Sequence, residues 1–91
     1  SMRTYFLARD YWTQRKLDGA SSKTAIAELM ELLDDPDQAV RVHAIRGLAT
    51  FDAIGAIPRL IRLLKDPSPE VAKAAGLALE SLNRPQVDEP D

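Results

Sequence analysis

The chain has 91 residues and no cysteine, and its 12 lysine and arginine residues are nearly balanced by 14 aspartate and glutamate residues, for a net charge of −2. This balance excludes a general attraction to nucleic acid or anionic membranes, and the lack of cysteine excludes disulfides and thiolate metal sites. No apolar run approaches the roughly 20 residues that a membrane helix needs, so we expect a soluble protein. The lack of cysteine fits a reducing compartment, so the cytoplasm is the default location.

The first predicted element is an N-terminal capping helix within residues 1–20. Ser1 precedes Met2 and resembles the remnant of an expression tag, so we expect Met2 to be the native start or the start of an excised segment. If the helix covers residues 4–18, its aromatic side chains would cover the open end of the fold, and Leu17 would match Leu48 and Leu79. The aromatic residues of this segment are Tyr5, Phe6, Tyr11 and Trp12.

The same N-terminal segment suggests a second use. Its basic residues outnumber its acidic residues and give a local charge of +3, and aromatic rings can stack on unpaired bases. Contact with nucleic acid through this basic and aromatic segment is therefore an alternative function. The charged residues concerned are Arg3, Arg9, Arg15, Lys16 and Lys23 against Asp10 and Asp18.

Residues 21–84 contain a duplicated unit, with copies at 22–51 and 53–83. The run that begins at Ala25 returns 31 residues later from Ala56, and the match continues to Leu48 and Leu79. A period of this length predicts a solenoid, in which similar units stack and share one core.

Each copy predicts two helices joined by a tight turn. Apolar residues recur at helical spacing from Ala25 to Leu33, with Ser22 as the predicted N-cap. Pro36 stops the first helix, and Asp37 can cap the second. In the second copy the corresponding turn contains Pro67 and Ser68, followed by Pro69 in the first turn of the last helix.

The pattern Asp-Pro-x-x-x-Val-Arg-x-x-Ala-x-x-x-Leu at residues 35–48 resembles the HEAT repeat. The short period is similar to compact HEAT-like repeats of the phycobilisome-lyase type. The resemblance implies an all-α fold, an α-solenoid of stacked antiparallel helix hairpins with about two repeats behind the capping helix. In HEAT proteins the arginine commonly pairs with an aspartate of a neighbouring turn, so Arg41 would reach Asp66 or Asp35, or else remain solvated. In the second copy Ala72 replaces it.

The exposed charges of the two first helices invert between the copies, which predicts an acidic row facing a basic row. Such pairs are weak and would mainly set the order of the repeats. The pairs one period apart are Glu28 with Arg59, Glu31 with Arg62, and Asp34 with Lys65.

The end of the chain shows two further features. The last helix has thin polar cover over residues 71–79, although terminal repeats normally carry a polar outer face. We expect it to be buried against a partner, a second copy of the chain as a homodimer, or further repeats. Residues 85–91 form a predicted disordered acidic tail.

The sequence does not indicate an enzyme. His43 is the single histidine, with no partner at triad spacing, and Ala44 follows it where HEAT-like hydroxylases carry a His-Glu dipeptide. The acidic run at residues 34–37 lacks the glycine and the glutamate of a calcium loop. We therefore expect no catalytic residue, no cofactor and no metal.

The function predicted is a non-catalytic protein-interaction or scaffold module that binds a helix or peptide on the concave face of the second helices. Nucleic-acid contact is disfavoured because this face is not strongly basic, and a role as accessory subunit of a lyase is a further alternative implied by the resemblance. The residues predicted to bind a protein partner are Gln38, Val42, Arg46, Lys73, Leu77 and Glu80, with most of the affinity expected from Arg46, Lys73 and Leu77.

Overall fold

A computed structural model describes residues 11–19 and 21–83, and every regular element in these ranges is a helix. The predicted all-α solenoid is confirmed, with two antiparallel hairpins stacked side by side. The parts of the predicted capping helix before residue 11, and the predicted tail at residues 85–91, lie outside the described residues. The elements are α1 (residues 11–17), α2 (Ser22–Leu32), α3 (Gln38–Thr50), a 3₁₀ helix (Ile54–Ala56), α4 (Ile57–Leu63) and α5 (Pro69–Leu82).

The hairpins keep the 31-residue period at their turns. The first helices end at Leu32 and Leu63, and the second helices begin at Gln38 and Pro69. The starts of the first helices differ because Pro58 lies in the first turn of α4. An earlier start would place this proline in the helix interior, where it lacks a donor and clashes with the preceding turn.

Side-chain caps begin three of these helices. Asp37 Oδ1 accepts a hydrogen bond from the Ala39 backbone N–H at 2.8 Å, and Ser68 Oγ accepts one from Val71 at 3.4 Å. These two predicted caps are confirmed. The prediction of Ser22 as the cap of α2 is wrong by one residue, because Ser21 Oγ accepts from the Thr24 N–H at 3.3 Å.

A close approach of backbone and side chains occurs at Gly47 in α3. A β-carbon at this position would lie 2.8 Å and 2.9 Å from the δ-carbons of Leu29 and 3.0 Å from Trp12. Both neighbours are buried, so neither can move aside without disturbing the core. The glycine therefore allows α3 to pack against α1 and α2 at the same time.

Arg41 joins the two hairpins. Its guanidinium donates to both carboxylate oxygens of Asp66, at 3.1 Å and 3.0 Å, and to the backbone carbonyls of Asp35 at 2.7 Å and Pro36 at 3.1 Å. The expected reach of Arg41 to the neighbouring turns is thus confirmed. Burial raises the pKa of Asp66, but the Ser68 backbone N–H and Arg41 outweigh it and hold this pKa below its usual value.

The predicted charge rows do not form ion pairs. The described residues contain two ion pairs, Arg41 with Asp66 and Lys16 with Asp52, and neither joins the rows on α2 and α4. Arg59 instead donates to the Met30 carbonyl at 2.9 Å. This carbonyl lies near the C-terminus of α2, where the helix dipole favours a cation.

The described part of the N-terminal segment agrees only partly with the repeat frame. Trp12 is buried, as expected of a residue that covers the first hairpin. Leu17 is 75% exposed, whereas Leu48 is fully buried, so the position that is covered in α3 is open in α1. Leu48 lies between packed helices, while Leu17 is at the end of α1 with little cover from the described residues.

Within residues 11–19 and 21–83, no helix is both long enough and apolar enough to cross a membrane.

Candidate functional site

The second helices of the hairpins, α3 and α5, lie side by side and form an open groove with the start of α1. Its volume is ≈ 1080 Å³. This is the face on which partner binding was predicted. The groove is lined by Trp12, Thr13, Ala39, Val42, His43, Ile45, Arg46, Ala49, Thr50, Glu70, Lys73, Ala74, Leu77 and Ala78.

Four of the six predicted binding residues line this groove. Val42 and Arg46 come from α3, and Lys73 and Leu77 come from α5 one period later. Val42 and Lys73 are equivalent positions of the two hairpins, as are Arg46 and Leu77, and stacking of repeats brings equivalent positions to the same face.

The other two predicted residues are not part of the groove lining. Gln38 is exposed at the first position of α3, one residue before the lining begins at Ala39. Glu80 is exposed on α5, past Ala78, where the lining ends. The structure therefore brings Val42, Arg46, Lys73 and Leu77 together and leaves Gln38 and Glu80 outside.

The groove combines an apolar surface with a basic margin. Val42, Ala49 and Ala74 supply small apolar surface, and Leu77 is 58% exposed within it. Arg46 and Lys73 are both exposed, with Glu70 as the acidic residue of the lining. Apolar contact together with charge can hold an amphipathic segment of another protein.

His43 and Trp12 form a pair that the sequence analysis did not predict. Trp12 Nε1 donates a hydrogen bond to His43 Nε2 at 2.9 Å, and their ring centroids lie 5.2 Å apart. An indole N–H can only donate, so the imidazole must be neutral with its proton on Nδ1. Burial, and then the nearby Arg46 cation, lower the pKa of His43 and favour this neutral form.

The repeat period itself contained the signal for this pair. Trp12 lies 31 residues before His43, so extending the frame to α1 places one beside the other. The same frame aligns Leu17 with Leu48 and Trp12 with His43. His43 is therefore held in place by a hydrogen bond and ring packing within the chain.

The described aromatic residues of the N-terminal segment are engaged in contacts within the chain. Tyr11 packs edge-on against Trp12 with ring centroids 4.9 Å apart, and the Arg15 guanidinium lies 5.2 Å from the Trp12 ring centroid. Arg15 is half-buried in this contact. Because Trp12 is buried, its faces are not open to a nucleic-acid base.

The acidic turn between α2 and α3 has a local structural role. Asp35 Oδ1 accepts from the Asp37 backbone N–H at 2.8 Å, and Asp37 in turn caps α3. In the part of the chain that the structure describes, no three His, Asp or Glu side chains are grouped as metal ligands. The carboxylates of this turn satisfy backbone donors instead.

Comparison with known proteins gives one finding. A family model described as HEAT repeats matches residues 26–90, which include α3, α4, α5 and most of α2. No curated protein and no solved structure matches the chain significantly.

Proposed function

The chain belongs to the HEAT-repeat family, and from this premise we propose that it is a non-catalytic module that binds a helix or an extended peptide of a partner protein in the α3–α5 groove. HEAT repeats commonly serve as protein-interaction scaffolds and are generally not catalytic. Fold alone does not define a partner, so the proposal depends on the groove.

The observation that carries the proposal is the exposed apolar side chain of Leu77 in an open groove with Arg46 and Lys73. Leu77 is a large aliphatic side chain that is 58% exposed, so a partner that covers it stabilises the complex by removing apolar surface from water. In a groove between two helices, it would contact the apolar side of an incoming helix or peptide. We propose that Leu77 is the apolar anchor of the interface.

Arg46 and Lys73 would supply charge complementarity. Both are exposed on neighbouring helices along the groove, and Glu70 offsets only one of them. Acidic residues of the partner, next to the apolar residues that contact Leu77, would therefore speed association and fix the register of the partner in the groove. Gln38 and Glu80 are outside the lining, so they would contact only a segment that extends past it.

Neither alternative function gains an observation in its favour among the described residues. Trp12 packs on α3, and Arg15 covers its ring, which leaves this pair unavailable as a stacking platform. The described residues contribute no observation that points to a lyase.

The test is capture of partner proteins from an extract of the source cells. The groove variant is Lys73→Glu with Leu77→Asp, and the matched control is Arg62→Glu with Ile54→Asp, which changes an exposed cation and an exposed apolar residue outside the groove. Circular dichroism should show that both variants keep their helices.

We expect at least one protein to bind both the wild-type chain and the control, and to bind the groove variant with about tenfold lower affinity. Loss of a hot-spot anchor costs more than about 1.4 kcal/mol, which corresponds to a tenfold change in Kd. A peptide from that protein should show the same order of affinities by fluorescence anisotropy. Equal capture by all three chains would refute the groove as the binding site.

A further inference from the structure

We propose that protonation of His43 releases α1 from α3 while the two hairpins stay folded, so that acid removes one wall of the groove. We call this part of the lining, Trp12 and Thr13, the α1 wall. The contact between α1 and α3 lies within the chain, so its response to pH does not depend on whether a partner binds in the groove.

The hydrogen bond between Trp12 and His43 exists only while the imidazole is neutral. Trp12 Nε1 donates to His43 Nε2 at 2.9 Å, and an indole nitrogen cannot accept in return. In the imidazolium both ring nitrogens carry a proton, so turning the ring offers no other acceptor. Protonation therefore replaces a hydrogen bond with two N–H groups that face each other.

Trp12 has little room to find another acceptor while α1 stays in place. Its side chain is 6% exposed, its Cδ1 atom lies 3.0 Å from the position of a β-carbon on Gly47, and its ring centroid is 6.0 Å from that of Phe51. A buried N–H without an acceptor is unfavourable. Release of α1 exposes both ring N–H groups to water, which accepts from them.

The charges around His43 also oppose a cation at this position. The charged or titratable side chains that contact it or line the groove with it are Arg46 on α3, Arg15 and Tyr11 on α1, and Lys73 and Glu70 on α5. Three cations in this set oppose one carboxylate. Burial, and then the nearby Arg46 cation, lower the pKa of His43, so the proton binds more strongly once α1 has left.

Apart from Trp12, the described contacts that hold α1 on the rest of the chain are weak. Lys16 Nζ donates to the Thr50 carbonyl at 3.1 Å and lies 3.8 Å from the Asp52 carboxylate. Both side chains of this ion pair are exposed, and exposed pairs add little. Burial of the indole favours docking of α1 at every pH, so the bond to His43 is the part of the contact that acid removes.

The two hairpins do not depend on this bond. Arg41 and Asp66 join them directly. α1 ends before Gly19, whose φ of +88° is a conformation that glycine adopts without strain. α2 has its own cap after this point, at Ser21. α1 can therefore pivot at Gly19 without unwinding α2.

Release would change the groove in two ways. The α1 wall leaves, and His43 stays on α3 as a cation near Arg46. The groove therefore becomes wider and more basic as the pH falls.

The experiment follows the full chain from pH 7 down to the pH at which His43 has fully titrated. The chain has one tryptophan and one histidine, so the emission wavelength of Trp12 reports release of α1 and the NMR signals of the His43 ring report protonation. We expect the emission to move to longer wavelength, with the same midpoint as the His43 signals and below pH 6.5. Circular dichroism should show that the hairpins keep their helices.

Two variants separate the proton on His43 from other effects of acid. His43→Gln keeps an acceptor for the indole N–H and gains no charge, so its emission wavelength should stay constant over this range. His43→Lys carries a fixed cation and no acceptor, so its emission should match that of the acidified wild-type chain already at pH 7. The wavelength is measured and not the intensity, because a protonated imidazole quenches a neighbouring indole without any movement.

Four results would each overturn the proposal. A constant wavelength while His43 titrates would show that the imidazolium is accommodated with α1 in place. An equal shift in His43→Gln would assign the change to other groups, and unshifted emission of His43→Lys at pH 7 would show that charge at this position does not control α1. A shift that coincides with loss of most of the helical signal would show unfolding of the whole chain.

Discussion

Replacing Arg41 with methionine should destabilise this protein more than the same replacement of the other arginine in α3. Methionine keeps most of the aliphatic stem and removes the guanidinium, so the loss reports on the polar contacts. Those contacts are two bonds to Asp66 and one each to the carbonyls of Asp35 and Pro36. They hold both inter-helix turns and both hairpins together.

The magnitude follows from the burial of the pair. The side chains of Arg41 and Asp66 are 15% and 6% exposed. Removing one partner of a buried ion pair costs about 3–5 kcal/mol, because the other charge stays buried and unpaired. Asp66 keeps its bond from the Ser68 N–H at 2.8 Å, so we expect the lower end, about 3 kcal/mol. For a domain of this size, that corresponds to a fall in Tm of about 12–24 °C.

Urea unfolding followed by circular dichroism measures this change. The Arg46→Met variant is the control, since Arg46 is an exposed arginine on the same helix, and it should lose less than about 0.5 kcal/mol. A double-mutant cycle with Asp66→Asn should give a coupling of about 1–3 kcal/mol between positions 41 and 66. If Arg41→Met costs no more than Arg46→Met, or the coupling is near zero, the hairpins are not joined as we argue.

Two other predictions concern the contact between α1 and α3. Gly47→Ala should destabilise the fold, because overpacking against Leu29 and Trp12 costs about 1–3 kcal/mol and outweighs the gain of about 1 kcal/mol in helix propensity. The control is Gly76→Ala, which should be neutral or stabilising because the nearest atom to the added β-carbon is 3.7 Å away. Equal changes in Tm for the two variants would contradict the close packing at Gly47. The pKa of His43 is lower in the folded chain, so on acidification the unfolded chain binds a proton at a higher pH than the folded chain does. The stability that depends on neutral His43 is therefore complete above pH 6.5 and is lost as the pH falls through the lowered pKa. Urea unfolding between pH 7 and pH 5, a range set by the ordinary pKa of histidine, should show a falling free energy of unfolding for the wild-type chain and a smaller fall for His43→Gln. An equal dependence on pH in the two chains would refute the hydrogen bond from Trp12 to neutral His43.

Much of the fold follows from local patterns in the sequence. The turns at Pro36 and Pro67 occur where predicted, and Asp37 and Ser68 cap the helices that follow. These features depend on which residues can end or begin a helix, and neighbours within four positions decide that. The exception at Ser21 and Ser22 is of the same local kind, since two adjacent serines offer the same chemistry.

The candidate site was predictable only in outline. Helical spacing and the 31-residue period were enough to predict that Val42, Arg46, Lys73 and Leu77 share a face. They were not enough to predict which exposed positions line the groove, since Gln38 and Glu80 are outside the lining. The lining depends on how α1, α3 and α5 pack against one another in three dimensions, and a period does not contain that packing.

What the sequence determined by itself was the repeat: its helices, its turns and the set of equivalent positions. Only the tertiary structure decided how equivalent positions differ. Leu33 is buried whereas Leu64 is exposed, and Arg59 donates to the Met30 carbonyl and not to the acidic residues of α2. The physical reason is that helix formation depends on neighbours along the chain, whereas burial and ion pairing depend on what lies beside each repeat in space. In a stack of two hairpins, each has a different neighbour.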